Sequence, residues 1–286
     1  MISKELDKIF KETSYESETL LYEIIKRGYV YSKVERDKKI LFVGINPSYI
    51  SGSKPYDHTI YNVQDVVKLY PKHYKKFQNI AENCNVGNNW TYTDIFYFRE
   101  TNQNTIDSFL NDDVSLTFLV KQLEITITQL ETLNPDLIIV CNSGARKFFG
   151  IDKQTTNNKD FTDVWMGFDF AFDERFGVDV ITGLNQSSIK ADNKTTSLVG
   201  TPVLFSSTLT YMDSSTKKRL EWQIKTILKF KKLFVQLKVL AKKLEQNKNL
   251  KSILVSENKF EETAKLRDIE FSDLEELVAL LLQIEK

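Results

Sequence analysis

The sequence predicts an α/β fold with a parallel sheet. Three short runs, at residues 40–43, 137–140 and 203–205, are apolar at every position, which is typical of strands covered on both faces. Segments with helical periodicity separate these runs, and strands that alternate with helices indicate a parallel sheet.

Length and composition limit the possible domain size, partners and metal sites. At 286 residues, 41% hydrophobic and 27% charged, the chain can form one sizeable core plus an appendage. Its 39 Lys and Arg balance 39 Asp and Glu, so nucleic-acid binding would need a local basic patch. The two cysteines, Cys84 and Cys141, cannot by themselves form a four-ligand zinc or iron–sulfur site. We therefore expect no metal and no cofactor.

The amino-terminal segment MISKELDKIF lacks the features of a secretory signal. No apolar run approaches the roughly 20 residues that a bilayer-spanning helix needs. These features predict a cytoplasmic protein without membrane contact.

The chain in order begins with residues 1–27, whose apolar spacing predicts helix ending at Gly28. The strand at 40–43 follows, then a helix at 71–83 and a strand at 91–98, where alternation has a period of two. A helical pattern covers 107–134, and the strand at 137–140 leads into a helix opening at 145. Residues 151–200 predict one or two hairpins. After the strand at 203–205, a helix starts near Thr216, capped by Ser214 or Ser215.

The loop after the first strand carries the first candidate site. Gly44 ends the apolar run, and Asn46, Pro47 and Ser48 take the chain out through a sharp turn. In open α/β sheets, ligands bind outside the carboxyl ends of the strands. Asn46 is therefore placed where a ligand is expected.

Three blocks in order resemble the uracil-DNA glycosylase superfamily. GINPS at 44–48 resembles the first motif and is most similar to the GINPG form of the mismatch-specific uracil and thymine glycosylase branch. TDIFYFRET at 93–101 is similar to the second block, and PDLIIVCNSGA at 135–145 resembles the third strand and its helix. The resemblance implies a three-layer α/β/α sandwich around a four-stranded parallel sheet, here spanning residues 1–230.

The resemblance also implies an activity. Members of this superfamily flip a modified or mismatched base out of DNA and hydrolyse its N-glycosidic bond. By the match to the first motif, Asn46 would position the attacking water and support the cationic sugar, because an amide orients water but is too weakly basic to deprotonate it. The alternative is that Asn-Pro only shapes the turn.

By the second block, Asp94 would contact the edge of the base. An ionised aspartate only accepts hydrogen bonds, so it suits an exocyclic amine better than uracil. The alternative is that Asp94 caps a turn or pairs with Arg99. Either Tyr49 or Tyr56 could stack on the base, although a solvent-facing loop tyrosine is an equal alternative. The predicted base pocket comprises Gly44, Ile45, Pro47, Tyr49, Tyr56, Asp94 and Asn142.

The segment after the strand at 203–205 matches only the serine part of the family's final motif. The motif histidine, which stabilises the departing uracil, is absent, with Phe205 or Ser206 in its place. The resemblance therefore does not imply strong uracil excision. A wedge residue and a basic trio would complete the DNA contacts, the alternative for the trio being a hydrated helix face. The predicted DNA-binding residues are Ser48, Ser206, Ser207, Leu209, Tyr211, Lys217, Lys218 and Arg219.

Residues 231–286 predict a helical hairpin. Apolar residues recur at spacings of three and four up to Leu244, and after the NKNLKS break a second apolar stripe runs through Phe260, Phe271 and Val278. NKFEETAKLRDIE at 258–270 resembles the UVR motif, a short helical hairpin that binds other proteins, so a protein partner is implied. The alternative is a plain helical hairpin.

Two further functional hypotheses stay open. The fold could be retained without catalysis, as a module that binds nucleic acid or a protein. A third hypothesis is a nucleotide-binding or nucleotide-hydrolysing α/β enzyme with no role on DNA.

Overall fold

A computed structural model describes residues 2–12, 15–16, 19–49, 60–156, 159–190, 194–207, 209 and 212–284. The strands are β1 (Tyr31–Ser32), β2 (Ile40–Gly44), β3 (Ile60–Tyr61), β4 (Trp90–Asp94), β5 (Leu137–Val140), β6 (Ile151–Thr156), β7 (Lys159–Val164), β8 (Phe168–Asp173), β9 (Val178–Leu184) and β10 (Pro202–Phe205). The helices are α1 (Ile2–Phe10), α2 (Leu20–Lys26), α3 (Val63–Leu69), α4 (Pro71–Asn83), α5 (Asn104–Phe109), α6 (Asp113–Leu133), α7 (Ser143–Phe149), α8 (Ser214–Ser256) and α9 (Phe260–Ile284).

The central sheet has six strands in the order β4-β2-β5-β10-β9-β8. The first four are parallel, as the sequence predicts, whereas β9 and β8 continue the sheet in antiparallel orientation. The prediction of a four-stranded sheet is therefore wrong in strand number. The physical reason is that β9 of the β8–β9 hairpin pairs with the edge of β10 and so extends the sheet.

Helices cover both faces of the parallel strands. Leu41 and Val43 of β2 belong to a core that includes Leu123 of α6. Phe42, which points to the opposite face, has its ring centroid 5.0 Å from that of Phe77 in α4. Every residue of β2, β4 and β5 is buried, which explains why β2 and β5 lack a polar face. The fold is thus α/β with a mostly parallel sheet between helices.

Several predicted boundaries differ from the observed ones. The amino-terminal helical region is two helices, α1 and α2, and the region 107–134 is divided into α5 and α6. The strand expected to continue to 98 ends at Asp94, yet residues 95–98 remain buried beyond the strand end. The alternation of residue types at 91–98 does not correspond to one exposed and one buried face, because both faces of this segment are covered.

The chain divides into two compact units, Met1–Lys225 and Thr226–Lys286. Helix α8 runs without a break from Ser214 to Ser256, so the predicted boundary at residue 230 and the predicted break at NKNLKS both lie inside this helix. The turn between α8 and α9 is at residues 257–259. In the described part of the chain, no helix is long and apolar enough to cross a membrane.

The second unit pairs α8 with α9 through a partly charged face. Asp273 is 5% exposed and accepts a hydrogen bond from Lys243 Nζ at 2.6 Å, and Lys251 pairs with Glu270. The apolar stripe that the sequence predicted as the packing face is instead exposed, from 45% to 65%, at Phe260, Phe271, Leu274 and Val278. Ion pairs connect α8 and α9 across the hairpin, and the spacing of apolar residues does not predict such pairs.

Candidate active site

The carboxyl ends of the four parallel strands bring the predicted loops to one edge of the sheet. Gly44 and Asp94 are paired residues at the ends of β2 and β4. Beyond β5, Cys141 N donates to Val43 O at 2.8 Å, and beyond β10, Ser206 N donates to Val140 O at 2.8 Å. The chain passes from β2 to β4 on one side and later to β5 on the other, so the direction of winding reverses at β2. Such a reversal is where open α/β sheets bind ligands.

Asn46 is half-buried just beyond β2, and its amide nitrogen is fixed by two carbonyl groups. Nδ2 donates to Glu100 O at 2.6 Å and to Pro47 O at 3.2 Å. The same two residues are joined by a backbone hydrogen bond from Glu100 N to Pro47 O at 2.9 Å. Because both neighbours are acceptors, the NH₂ group must face them. Among the described residues, Oδ1 has no hydrogen-bond partner, so the amide oxygen is left for a ligand.

Asp94 is buried beside Gly44, and its Oδ1 accepts a hydrogen bond from the Tyr92 hydroxyl at 2.7 Å. Burial raises the pKa of the Asp94 carboxyl to about 7, although the hydrogen bond from Tyr92 lowers it. Within the described ranges, Oδ2 has no hydrogen-bond partner. The predicted pairing with Arg99 is not observed. A carboxyl with this pKa is substantially protonated near neutral pH and then both donates and accepts.

Gly44 provides the space for this carboxyl. A Cβ atom at position 44 would lie 2.0 Å from the Tyr92 hydroxyl and 2.2 Å from Asp94 Oδ1, both far inside normal contact distances. A side chain at this position would therefore displace the hydrogen-bonded pair. The glycine belongs to the site because of this close approach.

Three tyrosines cluster beside the Asp94 carboxyl, and the sequence-based prediction of the pocket included none of them. The Tyr92 and Tyr74 ring centroids are 5.4 Å apart, and those of Tyr74 and Tyr61 are 6.1 Å apart. Burial raises the pKa of Tyr61 and Tyr92, and the charge of Asp94 adds to both shifts. The signal available in the sequence was that Tyr92 precedes Asp94 by two residues, the spacing that puts both side chains on one face of a strand.

The raised pKa of Asp94 predicts a pH dependence of stability. The folded state favours the neutral carboxyl, so the free energy of unfolding should fall as the pH rises from about 4 to about 7, by about 4 kcal/mol from this group. Asp94→Asn keeps an acceptor for Tyr92 but cannot ionise. Chemical denaturation across this range should show a flatter profile for Asp94→Asn than for the wild type. Asp65→Asn, an exposed change in α3, is the control and should retain the wild-type slope.

Tyr49, which is predicted to stack on a base, packs against two arginine side chains. The guanidinium carbons of Arg27 and Arg99 lie 4.4 and 5.2 Å from the centroid of its ring. Its backbone is joined to Thr101 by two hydrogen bonds, from Tyr49 N to Thr101 Oγ1 and from that hydroxyl to Tyr49 O. Tyr49 thus packs on Arg27 at the end of α2 and on Arg99 in the loop after β4, and its stacking on a base stays a prediction. Ser48 is exposed next to it, and Tyr56 lies outside the described residues.

Asn142 and Ile45 have structural contacts at this edge. Asn142, a predicted base-pocket residue, accepts a hydrogen bond from Gly144 N on its Oδ1 at 2.8 Å and so caps α7. Ile45 is buried, and its Cδ1 lies 3.4 Å from where a Cβ on Gly144 would be. The side chain of Ile45 therefore lies near the start of α7.

The serine loop forms part of a recess at the end of β10. A cavity of about 430 Å³ is lined by Ser206, Ser207 and Arg219, together with Arg146 and Asp179. The Arg146 guanidinium carbon lies 5.0 Å from the centroid of the Phe205 ring, in the strand that leads to these serines. The cavity brings three predicted DNA-binding residues together, and Arg146 is a further cation that sequence reasoning missed.

The other residues predicted to contact DNA differ in their exposure and in their partners. Lys218 is exposed, whereas Lys217 Nζ lies 4.0 Å from Glu221 Oε1. Leu209 is half-buried, and Tyr211 lies outside the described residues. The start of α8 is capped by Asp213, not by Ser214 or Ser215. Its carboxyl accepts hydrogen bonds from the backbone and hydroxyl groups of Ser215 and Thr216, which hold its pKa well below its usual range.

Asn46 and the serine loop lie on the same edge of the sheet but are not adjacent. Strand β5 separates β2 from β10, so their ends are two strand spacings apart, about 9.5 Å. Neither a protein-family model nor a curated protein matches this chain.

Proposed function

We propose that this protein is a monofunctional N-glycosyl hydrolase of the uracil-DNA glycosylase superfamily, with that family's four-stranded parallel core inside its larger sheet. The observation that carries the proposal is the state of Asn46. Its NH₂ group is held by two carbonyls beyond the central strand, and its oxygen has no partner within the described residues. A side chain whose donors are occupied and whose acceptor is open is suited to orienting a water molecule.

In the proposed step, Asn46 Oδ1 accepts a hydrogen bond from water and directs a lone pair of the water oxygen at C1′ of the flipped nucleotide. The bond from C1′ to the base nitrogen breaks, and its electron pair leaves with the base. The water oxygen bonds to C1′, and the displaced proton passes to solvent or to the departing base. The partial negative charge on Oδ1 also favours the cationic sugar as it develops.

Asp94 is the proposed reader of the base edge. In its protonated form the carboxyl donates one hydrogen bond and accepts another, which complements adjacent acceptor and donor groups such as O4 and N3–H of uracil or thymine. In its ionised form it only accepts. With a pKa of about 7, the preferred base is therefore expected to depend on pH, and the neutral form removes the sequence-based objection to uracil.

The proposed contacts to the nucleic-acid backbone are Ser206, Ser207 and Arg219, with Arg146 in the same cavity. Phosphate contacts of this kind fix the position of the strand without reading its sequence. Since the final-motif histidine is absent, leaving groups that need little stabilisation should be released fastest. We propose a cytoplasmic location, and the exposed stripe on α9 is the proposed surface for a protein partner.

The second candidate is a module that binds nucleic acid without catalysis. The absence of the final-motif histidine favours it, because the departing base then lacks its usual donor. It shares the phosphate contacts but makes no use of the Asn46 oxygen. The two candidates differ in whether a base is released.

The experiment that tests the proposal incubates the protein with duplexes carrying uracil, a thymine mismatch, hypoxanthine or an alkylated base, and measures abasic sites by alkaline strand cleavage. We expect at least one of these bases to be released, with a preference that changes between pH 6 and pH 8. Salt-sensitive binding of every duplex with no abasic site would favour the binding module.

A further inference from the structure

Helix α8 carries a net positive charge that the zero net charge of the whole chain conceals. Over Ser214–Ser256, twelve lysines and arginines stand against two glutamates. One of these glutamates, Glu221, accepts a hydrogen bond from Asn83 Nδ2 at 2.8 Å and lies 4.0 Å from Lys217. Within the described residues, neither Lys218 nor Lys225 forms an ion pair.

A tryptophan lies between those two lysines on the outer face of the helix. Lys218, Trp222 and Lys225 follow at spacings of four and three, which places them on one stripe. Leu220 and Ile224 are buried on the other side of the helix. Trp222 is 60% exposed, whereas Trp90 and Trp165 are 0% and 8% exposed. The largest side chain of the protein is thus displayed to solvent between two cations.

We propose that Lys218, Trp222 and Lys225 form a binding surface for single-stranded nucleic acid, on which one base stacks on the indole. This rests on the proposed nucleic-acid substrate and adds a second contact surface to it. The two lysines are about 10 Å apart along the helix axis, a distance that spans roughly three nucleotides of a stacked strand. Phosphates on either side of the stacked base can then each contact one ammonium group.

Three features favour a single strand over other occupants. The aromatic face and flanking cations together match an unpaired base and its phosphates, whereas a duplex keeps its bases stacked and offers only phosphates. An acidic peptide would use the lysines but not the indole face. The surface also follows the serine loop directly in the chain, because α8 begins seven residues after Ser207.

The test uses the full-length protein and a lesion-free single-stranded oligodeoxynucleotide, read by dye anisotropy and by tryptophan emission. We expect the oligonucleotide to quench the emission of the wild type, since only one of the three tryptophans is exposed. Trp222→Phe should bind within about threefold of the wild type but lose the quenching, and Trp222→Ala should bind about fivefold to a hundredfold more weakly. Leu20→Ala, an exposed apolar change in α2, is the control and should bind as the wild type does.

The contribution of the two lysines is measured separately, from the salt dependence of binding. The double variant Lys218→Ala/Lys225→Ala should lower the slope of log affinity against log salt by about 1.4, whereas Lys8→Ala/Lys26→Ala should leave the slope unchanged. Wild-type affinity in Trp222→Ala, unaltered emission at saturation, or equal competition by a duplex of the same length would each overturn the inference.

Different results would contradict this inference and the proposed function. Base release that survives in Trp222→Ala with unchanged affinity for the single strand removes the surface and leaves the hydrolase. Weaker binding by Trp222→Ala in a protein that releases no base keeps the surface and removes the hydrolase.

Discussion

Asn46→Ala is expected to lower the rate of base release by about a hundredfold or more. The substitution removes the amide oxygen that orients water, and loss of a positioned reactant has an effect of that order. It also removes hydrogen bonds to Glu100 O and Pro47 O, which should lower the free energy of unfolding by about 1 kcal/mol. The measurement is single-turnover base release on whichever duplex is the best substrate, beside a denaturant melt.

The matched control is Asn83→Ala. Asn83 donates one exposed side-chain hydrogen bond, to Glu221, whereas Asn46 donates two, and Asn83 ends α4 at the opposite edge of the sheet from Asn46. Asn83→Ala should therefore lose less stability than Asn46→Ala and retain base release. Equal losses of release in the two variants would mean that the effect comes from the fold and not from the amide.

Gly44→Ala is expected to give the largest loss of stability at the site. The added Cβ would meet the Tyr92 hydroxyl at 2.0 Å and Asp94 Oδ1 at 2.2 Å inside a fully buried strand. Overpacking of this kind costs about 1–3 kcal/mol, and displacement of the Tyr92–Asp94 pair should also abolish base recognition. Thermal and denaturant unfolding measure the first effect, and affinity for the lesion duplex measures the second.

Gly183→Ala provides the comparison for this change. Gly183 is also in a strand, β9, but the nearest atom to an added Cβ is Asp169 Oδ2 at 4.0 Å. Alanine should therefore be accommodated there with little change in stability. If Gly44→Ala were as stable as Gly183→Ala, the close approach of strand end and carboxyl would have no energetic role.

The parallel core was predictable from sequence because its strands are apolar on both faces. Runs such as Leu137–Val140 are apolar at every position, so the residue types alone indicate that both faces of the strand are buried. The attachment of β9 to β10 was not predictable, since alternation indicates a strand but not its partner. The pairing of Pro202 with Val180 joins segments that no local pattern connects.

The candidate site, too, was only partly predictable from the sequence. The motif identified Asn46 and Asp94, but the acceptor of the Asn46 amide is the carbonyl of Glu100, 54 residues away. The raised pKa of Asp94 depends on burial among tyrosines from other elements. Position along the chain thus predicted which residues approach the sheet edge, whereas protonation and orientation depend on neighbours brought in by folding.

The most direct test measures affinity and chemistry separately in the wild type and in Asn46→Ala, with the same lesion duplex. If the amide oxygen orients water, the dissociation constant should stay within about threefold while the single-turnover rate falls by about a hundredfold or more. Base release by Asn46→Ala at the wild-type rate, in a protein that folds and binds normally, would contradict the account.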